Sequence, residues 1–524
     1  MKIIHQRIVV ILLACFLHCS IHAQTNPLWG SLKSGPYKIG FKSTWYNDYT
    51  RTWGQSNDIK ETYSSVKPFG RPVRISVWYP AAISSNEKNM KFRDYVFIKS
   101  NDPISELGQQ MVLANDIGDA SKSIKGLFKG NDQAVQNLLN KNVPVYKNSK
   151  PVQKKFPLII YSLGQGDYTQ ENTVLFEYLA SNGYIVASVP QLSVNPRIDY
   201  LVMDDPLAFD TQLRDLEFTL GKMIEAPNVD HNRVGAMGMS MGSVYTYMLA
   251  AKNPNIHTLI GLDGTIMGGF ASFGYKYWQA PYVDSGNIKI PVLQLFRNDH
   301  HDMSRMNSMI YADRYLVTVD GLTHTDFTSY PLYTASAPDD ILDTFALHRR
   351  TTAYAFDMHQ KVCNYVLKFL DATLKQNSTA INFIQSLQNN FKENNVSAEF
   401  LKGVHALNEE EFVKIILHKG TDAAIAQYNN FHQIYPSTTW LRQRKLNRIG
   451  YEMVYKNDIK KALQIFLFNA AAFPNVAGVY SSLADGYEMN GQKDLAIINY
   501  KKVLDINPTD ETAKNGIERL TKTK

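Results

Sequence analysis

Cysteine is almost missing from this chain of 524 residues: Cys15, Cys19 and Cys363 are the only three. The first two fall in the leader described below, so the mature chain keeps one thiol. That excludes an internal disulfide and a thiolate metal cluster. Cys363 stands in the helix-like pattern Gln360-Lys-Val-Cys-Asn-Tyr-Val-Leu-Lys-Phe-Leu370, where it reads as a buried structural thiol. Long apolar runs are also absent. Past the leader nothing approaches the roughly 18 uninterrupted residues of a membrane helix, and a soluble mature protein is expected. Charge of one sign is scarce too. The formal net charge of +7 drops by two when Lys2 and Arg7 leave, and no basic block stands out, which argues against nucleic acid as a partner. No glycine-rich phosphate loop of the Walker or dinucleotide type is present, and no cofactor is expected.

The leader itself is informative. Residues 1–7 are basic, Ile8 to Leu17 is apolar, and Ile21-His-Ala23 before Gln24 is a small-residue cleavage site. The apolar run is about half of what a bilayer needs, so residues 1–23 read as a secretory signal peptide, with a secreted or periplasmic product. Leu12-Leu-Ala-Cys15 loosely matches a lipoprotein box, but Leu13 fits it poorly.

Length and 44% apolar content suit a large catalytic domain followed by something smaller. Tyr37–Ser43 and Pro72–Pro80 alternate apolar and polar residues, as half-buried antiparallel strands do. Residues 101–155 turn polar and helical and read as an insertion, a candidate cover for the active-site mouth. Phe156-Pro-Leu-Ile-Ile-Tyr-Ser162 is a near-continuous apolar strand of the kind buried on both faces. Helices at about 169–181 and 209–224 then alternate with strands at 184–189, 233–237, 258–263, 291–297 and 315–320. Such alternation predicts an α/β fold, a doubly wound and mostly parallel sheet with the strand C-termini and their loops on one edge.

Gly238-Met-Ser-Met-Gly242 stands between a short buried strand and a helix. A Gly-x-Ser-x-Gly passage in that setting is a nucleophile elbow, a turn so tight that flanking side chains must be absent. A serine hydroxyl is a weak nucleophile and needs a base, an acid to orient the base, and donors for the oxyanion. Ser240 is the candidate nucleophile. His324, in Gly321-Leu-Thr-His-Thr-Asp-Phe327, follows the last strand and is the candidate base. His231, His257, His348 and His359 are less well placed. Two acids end strands on the same edge: Asp263, in Ile260-Gly-Leu-Asp-Gly-Thr265, and Asp299, in Leu295-Phe-Arg-Asn-Asp-His-His-Asp302. The residues alone leave both open. The oxyanion donors are the backbone N–H of Met241 and that of Gln165, in the glycine-bearing loop Ser162-Leu-Gly-Gln-Gly-Asp167. Neighbouring His300 and His301 point in different directions and lack a partner at helical spacing, so no metal site is read there.

Phe156-Pro-Leu-Ile-Ile-Tyr-Ser-Leu-Gly-Gln-Gly166, Glu177-Tyr-Leu-Ala-Ser-Asn-Gly-Tyr-Ile-Val-Ala187, the elbow, Gly261-Leu-Asp-Gly264 and Thr323-His-Thr-Asp-Phe327 together resemble platelet-activating-factor acetylhydrolase-type α/β-hydrolases. Dienelactone-hydrolase-like esterases are similar in pattern. The resemblance covers roughly residues 35–375 and implies an esterase acting on short-chain acyl esters. The acetylhydrolase pattern carries the triad acid over to Asp263, and the dienelactone pattern to Asp299; Asp263 is preferred. Leu163 stands where the family commonly has histidine, and Ser243 where a second glycine is common, so the walls beside the nucleophile differ. Phe270–Trp278 is a candidate wall of an acyl site, or core.

Beyond about residue 385 the pattern changes. Tyr480, Leu483, Ala484, Tyr487, Gly491, Ala496, Tyr500 and Pro508 fit the tetratricopeptide helix–turn–helix template. Leu446, Ile449, Gly450, Ala462, Phe466 and Pro474 fit it one 34-residue period earlier. Ala424, Tyr428, Phe431 and Pro436 suggest a degenerate third unit. The expected layout is a signal peptide to residue 23, an α/β-hydrolase domain over 24–385, and an all-α, TPR-like repeat domain over 386–524. The expected activity is a serine esterase with a small-molecule ester substrate. A peptide- or amide-cleaving hydrolase is one alternative. The other is an interaction protein whose repeats bind a protein or peptide and whose hydrolase domain is secondary.

Overall fold

The computed structural model describes residues 28–53, 69–98, 121–192, 206–267, 284–298, 302–335, 337–338, 341–342, 351–389, 391–405, 409–434 and 441–522. The predicted signal peptide lies outside them, as do Asp299, His300, His301, Phe270–Trp278, His348, Pro436 and residues 101–120 of the insertion. The chain divides into two compact units after Gly403.

The first unit is built on one sheet of thirteen strands: β1 (Lys38–Trp53), β2 (Phe69–Ala82), β3 (Asn89–Lys91), β4 (Asn142–Lys147), β5 (Lys150–Pro151), β6 (Phe156–Ser162), β7 (Ile185–Val189), β8 (Val229–Met239), β9 (Thr258–Leu262), β10 (Val292–Arg297), β11 (Arg314–Val319), β12 (Lys392–Glu393) and β13 (Val396–Leu401). Their order is β12-β13-β11-β10-β9-β8-β6-β7-β2-β1-β4-β3, with β5 beside β2. From β7 to β11 every neighbouring pair is parallel. Antiparallel strands close both sides, β2 against β7 and β13 against β11. β6, β7 and β9 are buried at every residue, because apolar clusters cover both faces of the sheet. One face carries helices α1 (Thr173–Ser181) and α4 (Thr352–Thr373); the other carries α2 (Pro206–Ile224) and α3 (Gly242–Lys252). This is the doubly wound, mostly parallel sheet expected of the α/β class.

Several details depart from the expectations. The elbow strand starts at Val229 rather than Arg233. Its pairing with β6 skips from Asp230 to Val234, and an Asp230–Arg233 hydrogen bond of 2.7 Å closes the irregularity. Helix α1 begins at Thr173 rather than near 169, because residues 170–172 are held by hydrogen bonds to the segment after His324. The described part of the 101–155 insertion is not purely helical. It contains β4, which pairs with β1 far from the elbow in the sheet order, so apolar residues such as Val143 and Val145 are buried in the sheet. The domain boundary moves as well. Residues 392–401 form β12 and β13, hydrogen-bonded to β11, so the first unit runs to Gly403 and not 385.

The second unit is all-helical among its described residues, with helices α5 (Glu409–Lys419), α6 (Thr421–Ile434), α7 (Gln443–Tyr455), α8 (Ile459–Ala472), α9 (Ala477–Met489), α10 (Lys493–Ile506) and α11 (Glu511–Lys522). Ala462, Ala484 and Ala496 are fully buried. A Cβ on Gly450 would lie 2.3 Å from the Phe466 ring, and one on Gly516 would lie 2.7 Å from that of Tyr500, so small residues admit facing rings. Asp485 accepts from both Tyr451 and Tyr500 at 2.6 Å, tying successive helices together.

Candidate active site

Ser240 sits between β8 and α3 with φ of +51°, in the left-handed region that costs a side-chain-bearing residue of order 1–3 kcal/mol. The two elbow glycines make that turn sterically feasible. A Cβ on Gly238 would lie 2.3 Å from the carbonyl of Gly242, and one on Gly242 would lie 2.1 Å from the carbonyl oxygen of Ser162. Both contacts are to backbone, which cannot swing aside. The serine is further fixed by its main chain: Ser240 N–H donates to Leu262 O at 3.0 Å, and Thr265 N–H donates to Ser240 O at 3.1 Å. Those two partners bracket Asp263.

Asp263 follows β9 and also has positive φ, +42°. Its side chain is nearly buried, and Oδ2 meets His324 Nδ1 at 2.5 Å. Arg297, at the end of β10, donates its N–H to Asp263 Oδ1 at 3.3 Å and places Nη1 3.3 Å from Oδ2. Thus the carboxylate aligns the imidazole while a cation and an amide hold the carboxylate. Arg297 is a supporting residue that sequence reasoning missed. Its position at a strand end, two residues before Asp299, was the available signal.

His324 opens the short 3-10 turn His324–Phe327 and is partly exposed. Thr323 caps that turn: its N–H and Oγ donate to Asp326 Oδ2 at 2.6 and 2.8 Å, and Asp326 N–H returns to Thr323 O at 3.1 Å. Behind the turn lies His359 of α4, fully buried. Burial pushes its pKa down to about 4, against the backbone at Asp326 and Thr328, which favours the charged form.

The structure therefore brings His324 and Asp263 together and fixes the Ser240 backbone beside Asp263. Ser240 Oγ lies 3.5 Å from Thr265 Oγ1, and no hydrogen bond joins it to His324 among the described residues. Contacts of that kind commonly tighten only with substrate bound. Met241 caps α3 next to Ser240, and Gln165 stands in the loop between β6 and α1. A Cβ on Gly164, next to Gln165, would lie 3.7 Å from Ser240 Cβ, so this loop runs directly beside Ser240. His231 lies near the start of β8 and His257 just before β9, both away from this edge. Cys363 is buried in α4, where burial raises its thiol pKa. No described helix is long and apolar enough to cross a membrane.

No family model matches the chain, and no curated protein matches it. Among solved structures the chain is similar to a ferulic acid esterase from Streptomyces cinnamoneus. The two are 19% identical, with a TM-score of 0.44, over 66% of this chain and 93% of that one.

Proposed function

We propose that this protein is an exported serine hydrolase that cleaves carboxylic esters, with a preference for short acyl chains, through a Ser240–His324–Asp263 triad. The observation that carries the reading is the 2.5 Å Asp263–His324 contact beside a serine held at positive φ between two glycines that tolerate no side chain. In this mechanism His324 Nδ1–H donates to Asp263, which leaves Nε2 free to take the Ser240 proton as Oγ attacks the acyl carbonyl. The backbone N–H groups of Met241 and Gln165 receive the oxyanion, each such donor being worth ~10²–10³ in turnover. His324 then returns the proton to the departing alcohol. Water, activated by the same base, attacks the acyl-enzyme and releases the acid. The short-chain preference comes from the acetylhydrolase-like sequence pattern, export from the leader, and a protein or peptide partner from the repeat pattern of the second unit.

Hydrolysis of p-nitrophenyl acetate, butyrate and octanoate by the mature chain and by Ser240→Ala tests this. Serine-dependent turnover that falls from acetate to octanoate is expected. Turnover on matched anilides equal to that on the esters would favour an amidase, and no serine-dependent turnover on either would contradict the reading.

A further inference from the structure

Two acidic side chains stand beside the nucleophile and take no part in the triad. Asp167 and Glu171 belong to the loop between β6 and α1, and they are hydrogen-bonded to each other. Glu171 is fully buried. Its Oε1 accepts the N–H of Gly164 at 2.8 Å, and its Oε2 accepts the Tyr161 hydroxyl, from β6, at 2.8 Å. Asp167 Oδ1 accepts the hydroxyl of Tyr330, from the short helix Tyr330–Thr334. A Cβ on Gly164 would lie 2.7 Å from Glu171 Oε1, 3.3 Å from Asp167 Oδ2 and 3.7 Å from Ser240 Cβ. The acid pair and the nucleophile therefore flank the same glycine.

The same loop is fastened to the segment that follows the catalytic histidine. Asn172 Nδ2 donates to Phe327 O at 2.9 Å, Ser329 N–H to Glu171 O at 2.8 Å, and the Tyr333 hydroxyl to Gln170 O at 2.6 Å. Oxyanion loop and histidine turn are thus one hydrogen-bonded block, with Glu171 at its inner end. By engaging Gly164 N–H, Glu171 also keeps that donor from substrate oxygen.

We infer that Glu171 is a positioning residue of the acyl-transfer site and shares one proton with Asp167, so that losing this proton at alkaline pH slows acylation of Ser240. The inference rests on the serine-hydrolase reading. Its physical ground is that two touching carboxyls do not both ionise readily, and a second negative charge here would face an oxyanion forming across Gly164. Burial is the largest influence on both groups and raises both pKa values. Among the described residues the titratable groups facing the pair are Tyr161, Tyr330 and His324, with Tyr333 beside Tyr330; burial holds the three tyrosines above their ordinary range, so they stay neutral, and His324 faces Asp167. A singly charged pair is the working state, and a doubly charged pair is the inhibited one.

The rate of Ser240 labelling by a fluorophosphonate, followed from about pH 6 to about pH 10, reads this without a substrate. Wild type should fall along a basic limb at the alkaline end of that range. Asp167→Asn and Glu171→Gln carry a single carboxylate at every alkaline pH, so both should lose that limb. Glu171→Gln should also label ~10-fold slower near neutrality, having weakened the Gly164 anchor. Melting temperatures at each pH exclude unfolding as the cause of the limb, and Asp167→Asn, at a half-buried position, decides the matter if Glu171→Gln does not fold. A wild type without a basic limb, or variants that keep it, would overturn the inference. A wild type that labels at no pH would instead overturn the serine-hydrolase reading beneath it.

Discussion

Asp263 and Arg297 show how the proposed triad acid is held at the level of single side chains. Both carboxylate oxygens are occupied, Oδ1 by Arg297 N–H and Oδ2 by His324 and the Arg297 guanidinium. Asp263→Asn keeps the shape but presents an amide where the imidazole N–H needs an acceptor. Turnover should fall roughly 10³–10⁴-fold with the melting temperature little changed, as steady-state kinetics and calorimetry can check. Ser240 and His324 were legible in the sequence because each lies in a motif whose spacing is dictated by a turn. The choice between Asp263 and Asp299 was not legible, since β9 and β10 end on the same edge and either strand end can face the histidine. The Asp263–His324 contact supports Asp263 as the acid; Asp299 lies outside the described residues. Glu171, Asp167 and Thr265 escaped notice because their partners are distant in sequence or defined only by the folded loop. His359 makes a separate prediction. Its pKa of about 4 in the fold lies below the ordinary value of 6.5, so between those values the unfolded chain binds more protons than the native one. Its neutral form is fully favourable above about pH 6.5, and stability drops as pH falls toward 4, by an amount on the order of 3 kcal/mol. His359→Gln should flatten the melting-temperature profile over that window.

Elements position these residues through contacts that leave no slack. The crossing of α3 over the β6 carbonyls is so close that Gly242→Ala would put a methyl 2.1 Å from Ser162 O. A loss of about 3 kcal/mol and of serine labelling is expected, seen as a lower denaturation midpoint in urea. The histidine turn is more tolerant. Asp326→Ala removes both acceptor contacts to Thr323 and should lower kcat ~10-fold or more while the fold persists, because the turn that aims His324 loses its cap. Strands β6, β7 and β9 were plain in the sequence as continuous apolar runs, the mark of burial on both faces. The start of α1 was not, because Thr169 to Asn172 carry no apolar periodicity that separates helix from loop; long-range hydrogen bonds to Phe327 and Tyr333 decide it.

Across the whole molecule, the partition after Gly403 has a direct consequence. β13 covers the open edge of β11 along six paired residues, Arg314 to Val319. A chain ended after Gly403 should therefore melt cooperatively and label at Ser240, whereas one ended at residue 385 should be markedly less stable and prone to aggregate, which light scattering and calorimetry would register. The sequence placed the change of character near 385 because Lys392–Leu401 is short and mixed in polarity; only its pairing with β11 assigns it to the sheet. The helical second unit was more legible, since Ala462 and Ala496 recur 34 residues apart and both are buried. On the proposed reading, Ser240, His324 and Asp263 act together in ester cleavage. Its most direct test is p-nitrophenyl acetate turnover by wild type, Ser240→Ala, Asp263→Asn and Asp299→Asn, side by side. Loss of turnover in the first two variants with Asp299→Asn still active is the predicted result. An active Ser240→Ala, or an active Asp263→Asn beside an inactive Asp299→Asn, would contradict it.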